Sequence, residues 1–228
     1  MFSVIFEVHP GPDQKEAYLG LGKMLKPEVE AIDGFVDNIR YRSLRRGGWL
    51  LSLSGWRDEK ALVRWRTQAR HHVVQEKGRS GIFLDYHLRI GEVTADTRPP
   101  DGVVLHEQRL DETQTGDATT VTLIDAKRPP DRVAQSGADD VAQWLGFAPE
   151  AAGLVDWDVF DAVLTPGDVV LLLSWRDRAA AEAFEGAVSL PDDARLRRVR
   201  IVRDYGMFDR REAPQFYPDA PGRETRHA

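Results

Sequence analysis

The sequence predicts an α+β protein in which two ferredoxin-like βαββαβ repeats pack sheet to sheet within one chain. Two observations lead to this fold class. Identical residues recur at one fixed spacing, and each of the two copies alternates strand-like and helix-like apolar patterns in the same order. A single βαββαβ unit leaves one face of its sheet bare, so a second attached copy provides the surface that buries it.

The repeat is carried by identical residues in a single register. Trp56-Arg57-Asp58 recurs as Trp175-Arg176-Asp177, and Asp85-Tyr86 recurs as Asp204-Tyr205, each at an offset of 119 (175 − 56 and 204 − 85). Further pairs at this offset are Ile5 and Ile124, Pro10 and Pro129, Gly34 and Gly153, Gly48 and Gly167, Leu53 and Leu172, and Ile82 and Ile201. Because a whole series shares one offset, we infer a duplication that needs no gap between residues 5 and 86.

The first copy begins with a strand and a helix. Residues 2–8 alternate and are rich in β-forming side chains, which predicts a strand. Gly11-Pro12-Asp13 then opens a helix, because proline is tolerated in the first helical turn. Pro27 is expected to kink or shorten this helix. Its predicted apolar face carries Tyr18, Leu21, Leu25, Val29 and Ile32.

A hairpin, a second helix and a final strand follow. The turn Arg45–Gly48 is typical of a hairpin, and Asp58 is a good N-cap for the second helix. The predicted elements are the strands 35–43, 49–56 and 82–93 and the helix 59–77. The inward face of this helix is predicted to carry Leu62, Trp65, Ala69 and Val73.

The second copy repeats this order and defines the domains. Its predicted strands are 120–127, 154–163, 168–175 and 197–205, and its predicted helices are 131–149 and 177–188. We therefore expect repeat 1 at residues 1–93 and repeat 2 at residues 118–206. Residues 94–117 form a linker with room for an edge strand at Val103–His106, and residues 207–228 form an extended tail.

Composition restricts the classes of function. The net charge of −6 argues against a nucleic-acid partner, which usually requires a basic surface. The chain has no cysteine, which excludes disulfides, thiolate metal ligands and cysteine nucleophiles. Its N-terminus lacks the pattern of a signal peptide, and no stretch approaches the roughly 20 apolar residues that span a bilayer. We therefore expect a soluble, cytoplasmic protein without a membrane partner.

Residues 52–93 resemble the antibiotic biosynthesis monooxygenase family. In that family a strand ends in Ser-x-Trp, a helix bears a second Trp and a His, a Gln and a Gly-Arg follow, and the last strand bears Asp-Tyr. The matching residues are Trp56, Trp65, His71, Gln75, Gly78, Arg79, Asp85 and Tyr86. The second copy keeps Trp175, Arg198, Asp204 and Tyr205, but it has Phe184 and Ala194 at the second Trp and Gln positions.

The resemblance implies a dimeric α/β barrel with a pocket in each unit between the helices and the sheet. Some family members oxygenate polyphenolic, polyketide-derived substrates without metal or flavin. The expected function is therefore a cofactor-independent monooxygenase that acts on an aromatic or polyketide-like small molecule. We expect its pocket in repeat 1, because only this copy carries imidazoles on its second helix.

Six residues of repeat 1 form the predicted site. His71 or His72 is the expected base, since imidazole titrates near neutral pH. Adjacent residues cannot both face the core, and helical phase favours His72 whereas the family alignment favours His71. Trp65 is the expected pocket wall, and Gln75, Arg79 and Tyr86 are expected to bind substrate or a developing oxyanion. Plain packing is the alternative for Trp65, and a shared architectural role is the alternative for Tyr86, which recurs as Tyr205.

Two other functions remain open. A non-enzymatic small-molecule-binding or interaction protein could use the same scaffold. Haem-cleaving relatives in the superfamily suggest haem binding, but Gln75 stands at the position of their proximal histidine and Phe6 near that of their asparagine. No metal is expected, because His71 and His72 lack the spacing of two helical ligands. A homodimer of the chain through exposed sheet edges is a further expectation.

Overall fold

The computed structural model describes residues 1–105, 107–109, 116–133 and 137–210. Repeat 1 contains the strands β1 (Phe2–Pro10), β2 (Phe35–Ser43), β3 (Leu50–Trp56) and β4 (Phe83–Asp96). Its helices are α1 (Lys15–Glu30), α2 (Glu59–Arg66) and α3 (Ala69–Lys77), and a π-helical turn, Gly78–Ile82, leads into β4. Repeat 2 contains β5 (Thr120–Lys127), α4 (Pro130–Val133), α5 (Ala138–Trp144), β6 (Leu154–Ala162), β7 (Asp168–Trp175), α6 (Arg178–Ala187) and β8 (Arg195–Gly206).

The eight strands form one closed antiparallel barrel in the order β1-β3-β2-β6-β7-β5-β8-β4. β2 pairs with β6 and β4 pairs with β8, so the two four-stranded sheets meet along both edges. This arrangement confirms the predicted fold class, a dimeric α/β barrel formed within one chain. Each of these eight strands has two neighbours, so the barrel offers none of the free edges from which we expected a homodimer. The homodimer itself stays a prediction.

The register of the repeat needs correction at the first strand. Trp56 pairs with Phe2, whereas Trp175 pairs with Thr120. β1 and β5 therefore match at an offset of 118 (120 − 2), although β3 and β7 keep the offset of 119. The predicted equivalence of Ile5 and Ile124 is wrong, because Ile5 faces the barrel interior and Ile124 packs on the outer, helical side.

The last strand departs further from the predicted register. Phe2 pairs with Glu92 and Thr120 pairs with Arg200, so β4 and β8 match at an offset of 108 (200 − 92). Repeat 1 therefore has more residues than repeat 2 before its last strand. These additional residues form α3 and the π-helical turn, which have no counterpart between α6 and β8. The position that matches Tyr86 is consequently Ala194, and the identity of Tyr86 with Tyr205 at an offset of 119 is not a structural equivalence.

The second helix of repeat 1 is broken where a continuous helix was predicted. α2 ends at Arg66, and the Gln68 side chain caps α3 by accepting a hydrogen bond from the His71 backbone N at 2.8 Å. The new start changes the helical phase, so Ala69 and Val73 are exposed and the predicted inward face is wrong beyond Trp65. Asp58 caps α2 as predicted, since its carboxylate accepts from Ala61 N at 2.8 Å.

Two further predictions differ from the structure. The helix predicted at residues 131–149 is two short helices, α4 and α5, of which α5 begins after Gly137. Residues 103–105 form no strand, and Val103 and Leu105 instead pack against the apolar barrel interior. His106 and residues 211–228 of the predicted tail lie outside the described residues. Pro27 lies inside α1, which runs on to Glu30.

Apolar side chains fill two kinds of layer. The barrel interior contains Ile5, Tyr41, Leu51, Leu53, Val121, Leu123, Phe160, Leu172, Val199 and Ile201. The opposite faces of the strands pack against the helices, with α1 and α2 covering repeat 1 and α5 and α6 covering repeat 2. The layer between the helices and the sheet of repeat 1 is where the predicted site lies.

Candidate functional site

Four aromatic rings line the outer face of the repeat 1 sheet beneath α1. Phe6 of β1 and Phe83 of β4 have ring centroids 5.9 Å apart. Tyr86 lies 5.7 Å from Phe6, and Tyr18 of α1 lies 5.6 Å from Phe83. Tyr18 and Tyr86 are buried, whereas Phe6 and Phe83 are partly accessible. This aromatic cluster offers an apolar surface that could contact the body of a small molecule.

Trp65 and His71 lie together at the break between α2 and α3. Their rings are stacked, with centroids 4.2 Å apart and an interplanar angle of 15°. His71 Nδ1 also lies 3.0 Å from the backbone oxygen of Trp65. A carbonyl oxygen only accepts hydrogen bonds, so Nδ1 carries the proton and Nε2 carries the lone pair. His71 is thus held as one tautomer, with Nε2 as its proton acceptor.

The surroundings of His71 keep its ring neutral. Burial is the main cause that lowers the pKa of His71, and the hydrogen bond to the Trp65 carbonyl opposes it. With smaller effects of His72, which lowers the pKa, and Glu28, which raises it, the pKa is about 4. At neutral pH the imidazole is therefore uncharged and able to accept a proton at Nε2. His72 is exposed. The break in the helix therefore favours His71 as the base, whereas the phase of a continuous helix favoured His72.

Two arginines converge on the hydroxyl of Tyr86. Arg210 Nη1 donates to the Tyr86 oxygen at 2.6 Å, and Arg79 Nη1 donates to the same oxygen at 3.3 Å. Arg79 also donates to the backbone oxygen of Met207 at 2.7 Å. No described residue accepts a hydrogen bond from the Tyr86 hydroxyl. We call Arg79, Tyr86 and Arg210 the anion-binding group, because two guanidinium groups and one phenol proton meet there.

The predicted residues thus come together as two groups. Trp65 lies with His71, and Arg79 lies with Tyr86. Leu88 packs against the apolar clusters on both sides and lies between them in the core. Gln75 is half-buried on α3, while His72 is exposed. The catalytic and binding roles assigned to these side chains stay predictions.

Sequence reasoning missed three residues of this region. Tyr18 and Phe83 were assigned to a helix face and a strand, and their aromatic character was the available signal. Arg210 gave no signal, because its contact with Tyr86 joins residues 124 positions apart. Tyr205 of β8 also enters this layer and packs in the same apolar cluster as Tyr86, so the end of repeat 2 completes the outer layer of repeat 1.

Other features of the described residues lie apart from this layer. One cavity of about 270 Å³ lies at an end of the barrel and another of about 290 Å³ lies beside α6, and neither is lined by a predicted site residue. Within residues 1–105, 107–109, 116–133 and 137–210, no three His, Asp or Glu side chains are grouped so that they could hold a metal ion. Over the same ranges, no helix has the length and apolar character needed to cross a membrane.

Comparison with known proteins tests the resemblance. The family model for antibiotic biosynthesis monooxygenases matches residues 1–77. A curated relative, the jasmonate monooxygenase ABM of Pyricularia oryzae, is 51% identical over 225 residues, which cover 96% of this chain and 100% of the relative. The chain belongs to the antibiotic biosynthesis monooxygenase family. This result confirms the resemblance carried by residues 52–93.

Solved structures are more distant from this family member. An anthrone oxidase-like protein is 14% identical, with 94% of this chain and 96% of that chain covered and a TM-score of 0.34. A Pseudomonas aeruginosa protein is 15% identical, with 39% of this chain and 89% of that chain covered and a TM-score of 0.35. Likenesses this distant carry no information on activity.

The two repeats of this family member differ in the layer beneath their helices. In repeat 2, Phe184 lies 5.2 Å from Trp175 and 6.1 Å from Phe147, and these rings occupy the space between helix and sheet. Ala194 stands at the position of Tyr86, so repeat 2 has no phenol there. Among the described residues of repeat 2, the layer between helices and sheet therefore has neither a phenol at the position of Tyr86 nor an indole at that of Trp65.

Proposed function

We propose that this antibiotic biosynthesis monooxygenase oxygenates a small apolar carboxylate and that repeat 1 holds the substrate. The relative from Pyricularia oryzae that aligns over its whole length is named a jasmonate monooxygenase, so jasmonate is the first compound to test. Jasmonate is a cyclopentanone with an acetic acid side chain and a pentenyl chain. It combines one carboxylate, one ketone and an apolar body, and repeat 1 offers the anion-binding group for the carboxylate and the aromatic cluster for the apolar body.

The anion-binding group is the observation that carries this proposal. Arg79 is buried, and its guanidinium shares the Tyr86 oxygen with that of Arg210. The Tyr86 proton remains available to a ligand. A carboxylate placed here would accept hydrogen bonds from the phenol and from a guanidinium, which is the pattern that buried anions require. The aromatic cluster beside it would hold the apolar body, since Tyr86 belongs to both.

The proposed reaction needs no electron donor other than the substrate. A CH₂ group beside a ketone loses a proton to His71 Nε2, and the resulting enolate reduces O₂ and binds it as a hydroperoxide, which takes the proton back from His71. Loss of water then leaves a second carbonyl. In sum, CH₂ and O₂ become C=O and H₂O, so four electrons leave carbon and four reach oxygen. A base with a pKa near 4 can remove such a proton only when a hydrogen-bond donor stabilises the enolate, and Gln75 is the residue proposed for this role because the anion-binding group holds the carboxylate.

Incubation of the purified chain with jasmonate under ¹⁸O₂ tests the proposal. We expect a product that has gained one ¹⁸O atom and lost two hydrogens, without added reductant, flavin or metal. Methyl jasmonate is the matched control, because esterification removes the charge that the anion-binding group would recognise. It should react with a much higher KM.

Two results would change the proposal in different ways. An alcohol product that forms only with an added reductant would refute the cofactor-free step and retain the monooxygenase. The non-enzymatic binding protein would be favoured if jasmonate stabilises the fold saturably but O₂ uptake is absent. O₂ uptake should then be absent with jasmonate and also with an enolisable aromatic compound such as an anthrone. Haem binding stays a separate prediction, which a titration followed at the Soret band tests.

A further inference from the structure

The two ends of the barrel are related by the internal repeat. β1 and β5 run in opposite directions around the barrel, so Glu7 and Asp125, near their C-terminal ends, lie at opposite ends of the barrel. These acids match at the offset of 118, and Arg89 and Arg197 match at the offset of 108. We call the end at Glu7 the first mouth and the end at Asp125 the second mouth.

Each mouth contains the same pair of an acid and a buried arginine. In the first mouth Glu7 Oε2 lies 2.5 Å from Arg89 Nη2. In the second mouth Asp125 Oδ2 lies 2.6 Å from Arg197 Nη2. Because this acid–arginine pair is present in both repeats, the two mouths can be compared position by position. Differences in the other residues then indicate which group each mouth can hold.

The first mouth is filled by a cation of the chain itself. Arg46, from the hairpin between β2 and β3, forms an ion pair with Glu7 and a second with Asp158, in which Nε lies 2.7 Å from Oδ2. Its guanidinium lies 4.6 Å from the ring centroid of Trp49 and 5.8 Å from that of Phe160. Carboxylates and aromatic faces together hold this cation.

Within the described part of the chain, no hairpin arginine enters the second mouth. Thr165 stands at the position of Arg46, and it is exposed on the hairpin between β6 and β7. Tyr41 stands at the position of Phe160, and Asp168 at that of Trp49. Ile39 stands at the position of Asp158, so an apolar side chain replaces the second carboxylate that holds Arg46 in the first mouth. The second mouth is instead a cavity of about 270 Å³, and four aspartates line it: Asp37, Asp125, Asp168 and Asp193.

The hydroxyl of Tyr41 has no hydrogen-bond partner among the described residues. Tyr41 is only 2% exposed and lines this cavity. Burial, together with the charge of Asp125, raises the pKa of Tyr41, so the hydroxyl keeps its proton. Since Tyr41 lines the cavity, its hydroxyl can form hydrogen bonds there with water or with a polar ligand.

The charges of the second mouth favour a cation. Three basic residues line the cavity, but Arg197 is bound to Asp125, and Arg195 is bound at 2.6 Å to Asp96, which lies outside the lining. Lys127 Nζ lies 3.8 Å from Asp168. Among the described residues, no cation lies within 4.0 Å of the carboxylate of Asp37 or Asp193. The charges of Asp37 and Asp125 do contribute, after Asp96, to raising the pKa of Arg195. Asp37 Oδ1 accepts from Gly55 N, which leaves its second oxygen for a ligand.

We propose that the second mouth binds a small organic cation with a guanidinium or primary ammonium group, held between Asp37, Asp125 and Tyr41 in the cavity wall. The N–H groups of this cation donate to the carboxylates of Asp37 and Asp125. Its flat face lies against the ring of Tyr41, as Arg46 lies against Phe160, and the Tyr41 hydroxyl bonds to its polar end. This site is separate from the proposed substrate layer of repeat 1.

Calorimetric titration of the full chain with agmatine tests the proposal, and methylguanidine serves as a second probe. We expect saturable binding of one agmatine per chain at millimolar concentration or below. Methylurea is the matched control, since it has the shape of methylguanidine without the charge, and it should not bind.

Three variants locate the binding. Thr165→Arg supplies the cation that the second mouth lacks, and it should abolish agmatine binding. Asp37→Asn keeps the acceptor for Gly55 N and removes the charge, so it should weaken binding at least about tenfold. Tyr41→Phe keeps the ring and should weaken binding about threefold to tenfold, as for one hydrogen bond. Asp101→Asn, an exposed change of equal charge, should leave binding unchanged.

Several results would overturn the proposal. The proposal is rejected if neither agmatine nor methylguanidine produces saturable heat at millimolar concentration. It is also rejected if methylurea binds as tightly as methylguanidine. Unchanged agmatine binding in both Thr165→Arg and Asp37→Asn would place the ligand elsewhere and reject it too. Melting curves of each variant separate lost binding from lost folding, and Thr165→Arg is suited to this because its position is exposed.

Discussion

His71 lies face to face with Trp65, at a centroid distance of 4.2 Å, and its Nδ1 is bound to the backbone oxygen of the same residue. The break between α2 and α3 makes both contacts possible, because Gln68 caps α3 and turns the first residues of α3 back toward α2. One residue therefore fixes the orientation, the tautomer and the apolar surroundings of the imidazole. These three properties are what a base in a small-molecule site requires.

Replacement of His71 should reduce turnover without loss of folding. We expect His71→Gln to lower kcat with jasmonate by about a hundredfold or more, the usual contribution of a positioned general base. His72→Gln is the matched control, since His72 is exposed, and it should change kcat little. Equal activity in His71→Gln and the parent chain would remove His71 from the proposed mechanism.

His71 should also make the stability of the fold depend on pH. In the unfolded chain this imidazole takes up a proton near pH 6.5, whereas burial lowers its pKa to about 4 in the fold. Protons then favour the unfolded state, so stability falls as pH drops from about 6.5 to 4. The loss should be roughly 3 kcal/mol for this group, because each unit of pKa difference corresponds to about 1.4 kcal/mol. Chemical denaturation at several pH values should show a shallower decline for His71→Gln, and parallel curves would contradict the lowered pKa.

Arg210 should determine the affinity for an anionic substrate. Because its guanidinium lies 2.6 Å from the Tyr86 oxygen, Arg210→Gln should raise the KM for jasmonate about tenfold to a hundredfold, as for a charged hydrogen bond. The KM for methyl jasmonate should change far less, and kcat should stay within a few-fold of the parent value. A similar rise in KM for acid and ester would show that Arg210 does not recognise the carboxylate.

The buried ion pair of the first mouth should contribute strongly to stability. Glu7 and Arg89 are both buried, so Glu7→Gln leaves Arg89 and Arg46 without their shared charge partner. We expect a loss of about 3 kcal/mol in the free energy of unfolding, measured by urea denaturation. Asp33→Asn is the matched control, because Asp33 forms an exposed pair with Arg57, and it should leave the melting temperature nearly unchanged. Equal effects of both changes would contradict the role of burial.

Two glycine replacements should have opposite effects. Gly153 has a left-handed φ of 81°, and a Cβ there would lie 2.5 Å from the Cβ of Ala180. Gly153→Ala should therefore destabilise the fold by about 2 kcal/mol or more. Gly20 lies in α1 with open space around it, so Gly20→Ala should stabilise by about 0.5 to 1 kcal/mol. Thermal denaturation distinguishes the two, and stabilisation by both would contradict the close contact at Gly153.

Local features of the fold could be predicted from the sequence because their causes are local. Asp58 and Asp177 cap their helices as their positions in the repeat suggest, since a capping carboxylate bonds to a backbone N–H three residues away. Gly34 and Gly153 both take left-handed backbone angles at matching turns. The order of strands and helices also followed from apolar periodicity, which each segment displays by itself.

The candidate site depended on tertiary structure for the opposite reason. His71 rather than His72 packs inward because a cap at Gln68 restarts the helix, and Arg210 reaches Tyr86 across 124 positions of sequence. The repeat likewise showed that the chain contains two copies, but only strand pairing showed that their last strands match at an offset of 108. The sequence by itself determined the duplicated fold and its caps, which rest on short-range hydrogen bonds and apolar patterns. The tertiary structure decided the register and the site, because closing a barrel brings together residues whose proximity no local pattern encodes.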